Sequence, residues 1–317
     1  MNQPADRTLL DTIQARKGRL PAETDLHGAR YELRSLERSL STAGEAVGAL
    51  RRLVPVRVIA CIEGSLKAAA ALLIDHGDPY RANAKKLFRQ IKIDFDLLSA
   101  LLDKRVTVGD VVVHSIGWHD IDEIHSRMST LLGTDFFDAL GRAEDRFEIE
   151  GGRAPKRPII DSIPTVLSDI AAAIDLRHKL CHEVSTTTTV PEDVAERFLK
   201  SGIQFVHATQ WLTSETLHPG APLTQTDINI AAGNKAHAAR EELDAEIARL
   251  MGHLDDPQKA KLANCQQVWE QYRDAHATFE SDVYSGGTIR PLIHAGELEN
   301  LTRQRIKQVT GSNWFPR

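Results

Sequence analysis

The chain has 317 residues, a net charge of −5 at pH 7 and 26% charged residues. This is an ordinary globular composition, and the length predicts about two domains. A hydrophobic content of 42% excludes a wholly disordered chain, and no apolar run approaches the roughly 18 residues that a membrane span needs. An acidic chain does not attract nucleic acid by its overall field, so RNA binding would require a local basic groove.

The three cysteines indicate a reducing compartment. Cys61, Cys181 and Cys265 are scattered and odd in number, which predicts no disulfide framework. The first residues lack the basic and apolar segments of a secretory signal, so we expect none. Together these features predict a cytoplasmic protein with no membrane partner.

Apolar residues recur at helical spacing through most of the sequence, which predicts a mainly α fold. Val58–Ile74 is apolar on nearly every face and is predicted to be a central helix. Val106–His114 is the one strand-like stretch. The remaining helical patterns cover 33–40, 47–50, 87–101, 166–184, 191–212, 227–254, 258–284 and 298–309.

Glycine and proline mark two breaks in the helical pattern. Residues 150–158 form a Gly/Pro/basic loop within the first domain, and residues 218–226 are the better candidate for a domain linker. We therefore predict a first helical domain at 1–217, with its core at about 40–217, and a second at 227–317.

The sharpest chemical feature is the tract Arg177-His178-Lys179-Leu180-Cys181-His182-Glu183. Arg177 and His182 are five residues apart, so on a helix they lie about 140° apart and could flank a groove if the helix ends near His182. A histidine can take a proton from a ribose 2′-hydroxyl or give one to the leaving 5′-oxygen. An arginine can hold the scissile phosphate. Because the 2′-hydroxyl is an internal nucleophile, this chemistry needs no metal.

Two other interpretations of the same tract remain open. In the first, Arg177 and His182 lie on a solvated helix face and have no chemical role. His178 and His182 have the i, i+4 spacing of paired zinc ligands, but no third ligand accompanies them at a recognisable spacing. We therefore predict neither a metal nor a cofactor.

The tract resembles the Arg-x(4–6)-His signature of HEPN domains, and residues 57–73 are similar to the early core helix of HEPN domains related to ribonuclease LS (RiboL-PSP-like). The resemblance implies that Arg177 and His182 are the catalytic pair. His178 would take the polar position after the arginine, and Glu63 would be the acidic residue from an earlier helix. The alternative for Glu63 is a buried carboxylate paired with a core cation such as Lys67.

The same resemblance implies a function. HEPN ribonucleases are metal-independent endoribonucleases that usually dimerise so that two motifs line one cleft. Their products carry 2′,3′-cyclic phosphate and 5′-hydroxyl ends. Many act as toxins or in phage defence, so RNA, a second copy and an antitoxin are the expected partners. The alternative is a non-catalytic HEPN module that binds nucleotide or RNA.

Residues 223–310 resemble the small domain named for the lysozyme inhibitor LprI. The matching pieces are 223–229, 266–269, 272–275, 286–288 and 301–305. The cysteine positions of that family are occupied here by Ala231, Ala277 and Glu297, which fits a reducing compartment. The resemblance implies an accessory domain for sensing or protein contact, or alternatively an inhibitor that acts through this domain.

Two residue groups in this second domain have structural interpretations. Trp269, Tyr272 and Phe279 fall close to one helical stripe, which predicts packing against the preceding helix. Arg303, Arg305 and Lys307 are predicted to form a solvated basic helix end rather than an RNA contact.

Overall fold

The computed structural model describes residues 9–17, 22–88, 94–103, 105–182 and 189–311. These residues form fourteen helices and no strand, which confirms the mainly α prediction. The chain divides into two compact units, Met1–Pro219 and Gly220–Arg317. The helices are α1 Leu9–Lys17, α2 Ala22–Thr42, α3 Val47–His76, α4 Tyr80–Ala84, α5 Phe95–Leu102, α6 Val108–Ser115, α7 Ile121–Leu132, α8 Phe136–Gly141, α9 Arg146–Glu150, α10 Ile163–His182, α11 Glu192–Leu217, α12 Gln225–Met251, α13 Asp256–Asp282 and α14 Arg290–Thr310.

Helix α3 is the centre of the N-terminal unit. It packs against α2, α6, α10 and α11, and fourteen of its residues are buried. This explains why the sequence around 58–74 is apolar on nearly every face. The contact with α11 is close because Gly202 has no side chain: a Cβ there would lie 2.8 Å from Cγ1 of Val58.

The strand expected at Val106–His114 is wrong, because this segment forms α6. Thr107 and Asp110 make a capping box, in which each side chain accepts a hydrogen bond from the other residue's backbone N–H. A Cβ on Gly109 would lie 2.5 Å from the Ala71 carbonyl oxygen, so α6 packs directly on the α3 backbone. The segment resembled a strand because its consecutive valines are all buried.

The helical pattern expected at 87–101 is only partly correct. Helix α5 begins at Phe95, because the Asp94 side chain accepts a hydrogen bond of 2.8 Å from the Leu97 backbone N–H. Leu87 lies in a turn after α4, and Ile91 lies outside the described residues.

The C-terminal unit consists of α12, α13 and α14, with α14 packed against both other helices. Its apolar cluster is small, with Leu243, Leu250 and Val309 buried. Helix α14 begins at Arg290, earlier than the pattern at 298–309 predicted, with Pro291 in its first turn. No helix in the described part of the chain is both long enough and apolar enough to cross a membrane.

Tyr272 and Phe279 do not pack against the preceding helix as predicted. Trp269 does join the apolar cluster of the unit, but Tyr272 is 55% exposed and Phe279 is 71% exposed. The three residues do not share one buried face, because a helix turns by about 100° per residue and Trp269 lies to one side of the other two.

Candidate functional site

Helix α10 carries the predicted catalytic tract at its C-terminal end. Val166, Ile170 and Ala173 are buried on its inner face, and the helix packs against α3 and α11. This packing leaves the last turns at the surface, where Arg177 is partly buried and His178 is exposed. Arg177 and His178 are therefore accessible to a ligand.

The structure brings Glu63 and Arg177 together. Oε1 of Glu63 on α3 lies 3.6 Å from Nη1 of Arg177 on α10, and the two side chains are 20% and 39% exposed. Both interpretations of Glu63 from the sequence, an acidic residue of the site and a carboxylate paired with a cation, are compatible with this ion pair. Gly64, next to Glu63, is exposed, and the space around its Cα is open.

The ion pair with Glu63 leaves N–H donors of the Arg177 guanidinium available to a ligand at the surface. A guanidinium has five N–H donors, and a distance of 3.6 Å is longer than that of a well-formed charge-assisted hydrogen bond. The carboxylate therefore orients the arginine without occupying its donors. Arg177 can still present N–H groups to an anion such as a phosphate.

His182 is the last residue of α10. Its side chain lies outside the described residues, as do Glu183 and Val184 at the predicted end of this helix. Because α10 is helical as far as His182, Arg177 and His182 lie on one helix, as expected from the sequence. Among the described residues, no group of three or more His, Cys, Asp or Glu side chains is placed to hold a metal ion.

A second titratable cluster lies in the interior of the N-terminal unit. Nε2 of His207 on α11 lies 3.0 Å from Oδ2 of Asp145, and Nε1 of Trp211 lies 3.2 Å from the same nitrogen. Burial, followed by the nearby charge of Arg30, lowers the pKa of His207 to about 4. The cluster is nearly closed to solvent, with side-chain exposures of 11% for His207 and 15% for Asp145.

The sequence analysis did not find this cluster. His207 and Trp211 are four residues apart on one helix, which is a usable signal. Asp145, however, comes from the start of α9, where its side chain caps the helix by accepting from the Glu148 N–H at 3.1 Å. No local pattern indicates that this cap also meets a histidine on α11.

A cleft of about 650 Å³ lies elsewhere in the same unit, between the C-terminal end of α2 and the N-terminal ends of α3 and α11. Arg51 and Glu192 form an ion pair at its edge, and charges of both signs line it. None of the predicted site residues lines this cleft.

In the C-terminal unit, the basic end of α14 is more structured than predicted. Arg303 pairs with Glu299 at 2.8 Å. The guanidinium of Arg305 lies 5.8 Å from the ring centre of Trp269, and its Nε–H donates to Gln266 at 3.3 Å. Arg303 and Lys307 are exposed, as a solvated helix end predicts, whereas Arg305 connects α14 to α13.

Comparison with known families decides the identity of this second unit. Residues 219–309 match the family model described as "Lysozyme inhibitor LprI". Residues 219–309 are an LprI domain. The resemblance found at 223–310 in the sequence is thereby confirmed, and we refer to this part of the chain as the LprI unit.

The N-terminal unit has no family match. No curated protein and no solved structure matches the chain. The HEPN resemblance of this unit therefore stays a prediction that rests on its own residues.

Proposed function

We propose that the N-terminal unit is a metal-independent endoribonuclease. The observation that carries the proposal is the meeting of Glu63 and Arg177, at 3.6 Å, beside the exposed end of α10. These residues come from helices that are distant in the sequence, and the family resemblance assigned both of them to one site. The assignment to the HEPN class, and to toxin action or phage defence in the cytoplasm, rests on resemblance alone.

In the proposed reaction, the ribose 2′-oxygen attacks the adjacent phosphorus and the bond from phosphorus to the 5′-oxygen breaks. His182 acts as general acid and base: it removes the 2′-hydroxyl proton or protonates the leaving 5′-oxygen. Arg177 binds the phosphate and stabilises the charge that develops on it. The products carry a 2′,3′-cyclic phosphate and a 5′-hydroxyl.

Glu63 has the role of a positioning residue in this proposal. A half-exposed ion pair contributes only about 0–1 kcal/mol to stability, so stability alone is a weak reason for the pair. Holding the guanidinium at the junction of α3 and α10 reduces the freedom that Arg177 would lose on binding phosphate. His178, exposed one residue further along α10, completes the polar surface.

A homodimer is part of the proposal, because the central helix is not covered on all sides. Ala60 and Gly64 are exposed on α3, and Leu53 on the same helix is 49% exposed. This face adjoins the pair of Glu63 and Arg177. A second copy placed there would bring two sites together and would concentrate positive charge despite the acidic total.

The test is cleavage of total cellular RNA by the purified chain in EDTA. We expect the wild type to cut, and His182→Ala to lower the rate by about 10²–10⁴-fold, which is the usual loss of a general acid or base. His237→Ala is the matched control, since His237 is 73% exposed and lies in the LprI unit. Glu63→Gln should reduce the rate less than Arg177→Ala does, because Glu63 acts through Arg177.

The outcomes separate the candidate functions. Cleavage that is equal in the wild type and His182→Ala contradicts the proposal. RNA binding without cleavage by either protein indicates instead a non-catalytic nucleotide- or RNA-binding module. RNA fragments that carry 5′-phosphate and 3′-hydroxyl ends exclude attack by the 2′-hydroxyl, since that attack always leaves a 5′-hydroxyl.

A second candidate function is protein contact through the LprI unit. The family match at 219–309 favours it, and the printed name of that family makes lysozyme one candidate partner. A regulatory protein such as an antitoxin is another. If the wild type neither cuts nor binds RNA, this second candidate replaces the first.

A further inference from the structure

One face of α13 in the LprI unit is apolar, aromatic and exposed over most of the length of the helix. Four of its side chains are 55–79% exposed, and the Tyr272 ring stacks on His276 with ring centres 5.6 Å apart. We define the α13 stripe as this row of residues, namely Cys265, Val268, Tyr272, His276, Phe279 and Val283.

The rest of the LprI unit packs on the other side of α13. The buried residues of this helix are Arg273, Ala277 and Ser281. At about 100° per residue, the α13 stripe occupies an arc of about 80° that excludes all three. A continuous exposed row of large apolar side chains is uncommon on a monomer and indicates an interaction surface.

When Lys261 is counted together with the α13 stripe, the spacing is the same in both directions along the helix. Starting from Lys261, one step before the stripe, successive members are separated by four, three, four, four, three and four residues. Tyr272 is the centre of this sequence of steps. In an antiparallel copy centred there, Tyr272 meets Tyr272, Val268 meets His276, and Cys265 meets Phe279.

The length and pitch of the stripe also suit a pair of straight helices. The mean step is close to 3.6 residues, so the row follows a straight helix without supercoiling. From Cys265 to Val283 it extends for about 27 Å at a rise of about 1.5 Å per residue. This is long enough for several side chains from each copy to interdigitate.

The charges at the ends of the stripe favour the antiparallel arrangement. Lys261 at one end would lie beside Asp282 of the other copy, and this contact would form twice. Asp282 already accepts from Arg290 at 2.9 Å, so the contact would extend an existing ion pair. A parallel pair would instead place like charges together, which disfavours that arrangement. The flanking Asn264 and Gln271 carry no charge.

We propose that the chain self-associates through the α13 stripe, as an antiparallel pair of α13 helices related by a two-fold axis at Tyr272. The contact is isologous, because the same surface is used by both copies. It is distinct from the α3 face on which the proposed ribonuclease dimer depends, and it holds whether or not the N-terminal unit cuts RNA.

The test is thiol cross-linking in the full chain. Cys181 and Cys265 are exposed, so both are first replaced by serine. Cys61 is kept, because it is buried and burial raises the pKa of its thiol to about 11, which makes the thiol unreactive. In this background, Tyr272→Cys places one thiol on the two-fold axis. Gln267→Cys is the matched control, because Gln267 is exposed on α13 but lies off the stripe.

We expect a short bismaleimide to link two chains that carry Tyr272→Cys and not those that carry Gln267→Cys. Adding Phe279→Asp should lower the cross-linked fraction and weaken self-association by at least tenfold in sedimentation, since it places a charge inside the contact. Phe279 is 71% exposed, so the variant should fold, which far-UV circular dichroism checks. Equal linking at 272 and 267, no linking at 272, or linking that Phe279→Asp leaves unchanged overturns the proposal.

Discussion

The two units of the chain bury their helices in different ways. In the N-terminal unit, α3 packs against the helices α2, α6, α10 and α11, and large side chains such as Phe136 and Phe205 are completely buried. In the LprI unit, three helices share a small apolar cluster, and the polar Arg273, Ser281 and Thr302 are buried with it. The number of helices that surround a helix therefore decides how much of its apolar surface is covered.

This difference explains why similar side chains have different roles in the two units. In the N-terminal unit internal packing covers most apolar helix faces. The exceptions include the α3 face around Ala60 and Gly64 and the row Phe95, Leu98 and Leu102 on α5. In the LprI unit α13 has too few neighbours to cover its aromatic residues, so its outer face is available for another molecule.

The largest expected effect compares one phenylalanine from each unit. Phe205→Ala should lower the free energy of unfolding of the N-terminal unit by about 3–5 kcal/mol, because Phe205 is buried against Phe136 with ring centres 6.2 Å apart. Phe279→Ala should change the stability of a monomeric LprI unit by less than about 0.5 kcal/mol. Hydrogen exchange measured by mass spectrometry reports each unit separately. Similar losses of stability for the two variants would contradict the difference in burial between Phe205 and Phe279.

A smaller effect follows from the buried charges of the N-terminal unit. The pKa of His207 is lowered to about 4 in the folded chain, whereas an unfolded histidine titrates near 6.5. Below about pH 6.5 the unfolded chain binds the extra proton, so stability falls as the pH drops towards 4. From about pH 7.5 to pH 5 the loss is about 2 kcal/mol.

The check is urea unfolding at several pH values. His207→Gln should remove this part of the pH dependence, because glutamine does not titrate in this range and can still donate to Asp145. His119→Gln is the control, since His119 is exposed. An unchanged slope in His207→Gln would assign the acid sensitivity to other groups.

The sequence predicted the parts of the structure that depend on one helix or on one recognisable pattern. The periodic apolar residues of α3 and α10 indicated which faces of these helices are buried, whereas only the family resemblance assigned Glu63 and Arg177 to one site. The LprI domain was identified from residue patterns along 223–310. Such features are local, or they follow from the burial of a helix face.

The sequence did not predict the features that depend on what surrounds each element. Helix α6 resembled a strand because burial on several sides removes the polar face of a helix. His207 and Asp145 are brought together only by the packing of α9 against α11. For Tyr272 and Phe279, the spacing shows that they share a face of α13, but spacing alone does not show whether another helix covers that face.

The smallest expected effect compares one helix cap in each unit. Thr107 and Asp255 both begin capping boxes, at α6 and α13 respectively. Thr107→Ala leaves the N–H of Asp110 without its acceptor, and Asp110 is only 8% exposed, so water replaces the lost bond poorly. We expect a loss of about 1 kcal/mol there, and less for Asp255→Ala, because that cap is exposed. Thr107→Ser, which keeps the hydroxyl, should restore most of the stability. Exchange rates of the α6 and α13 amides measure the two losses, and a larger loss at α13 would mean that burial does not set the strength of a cap in this chain.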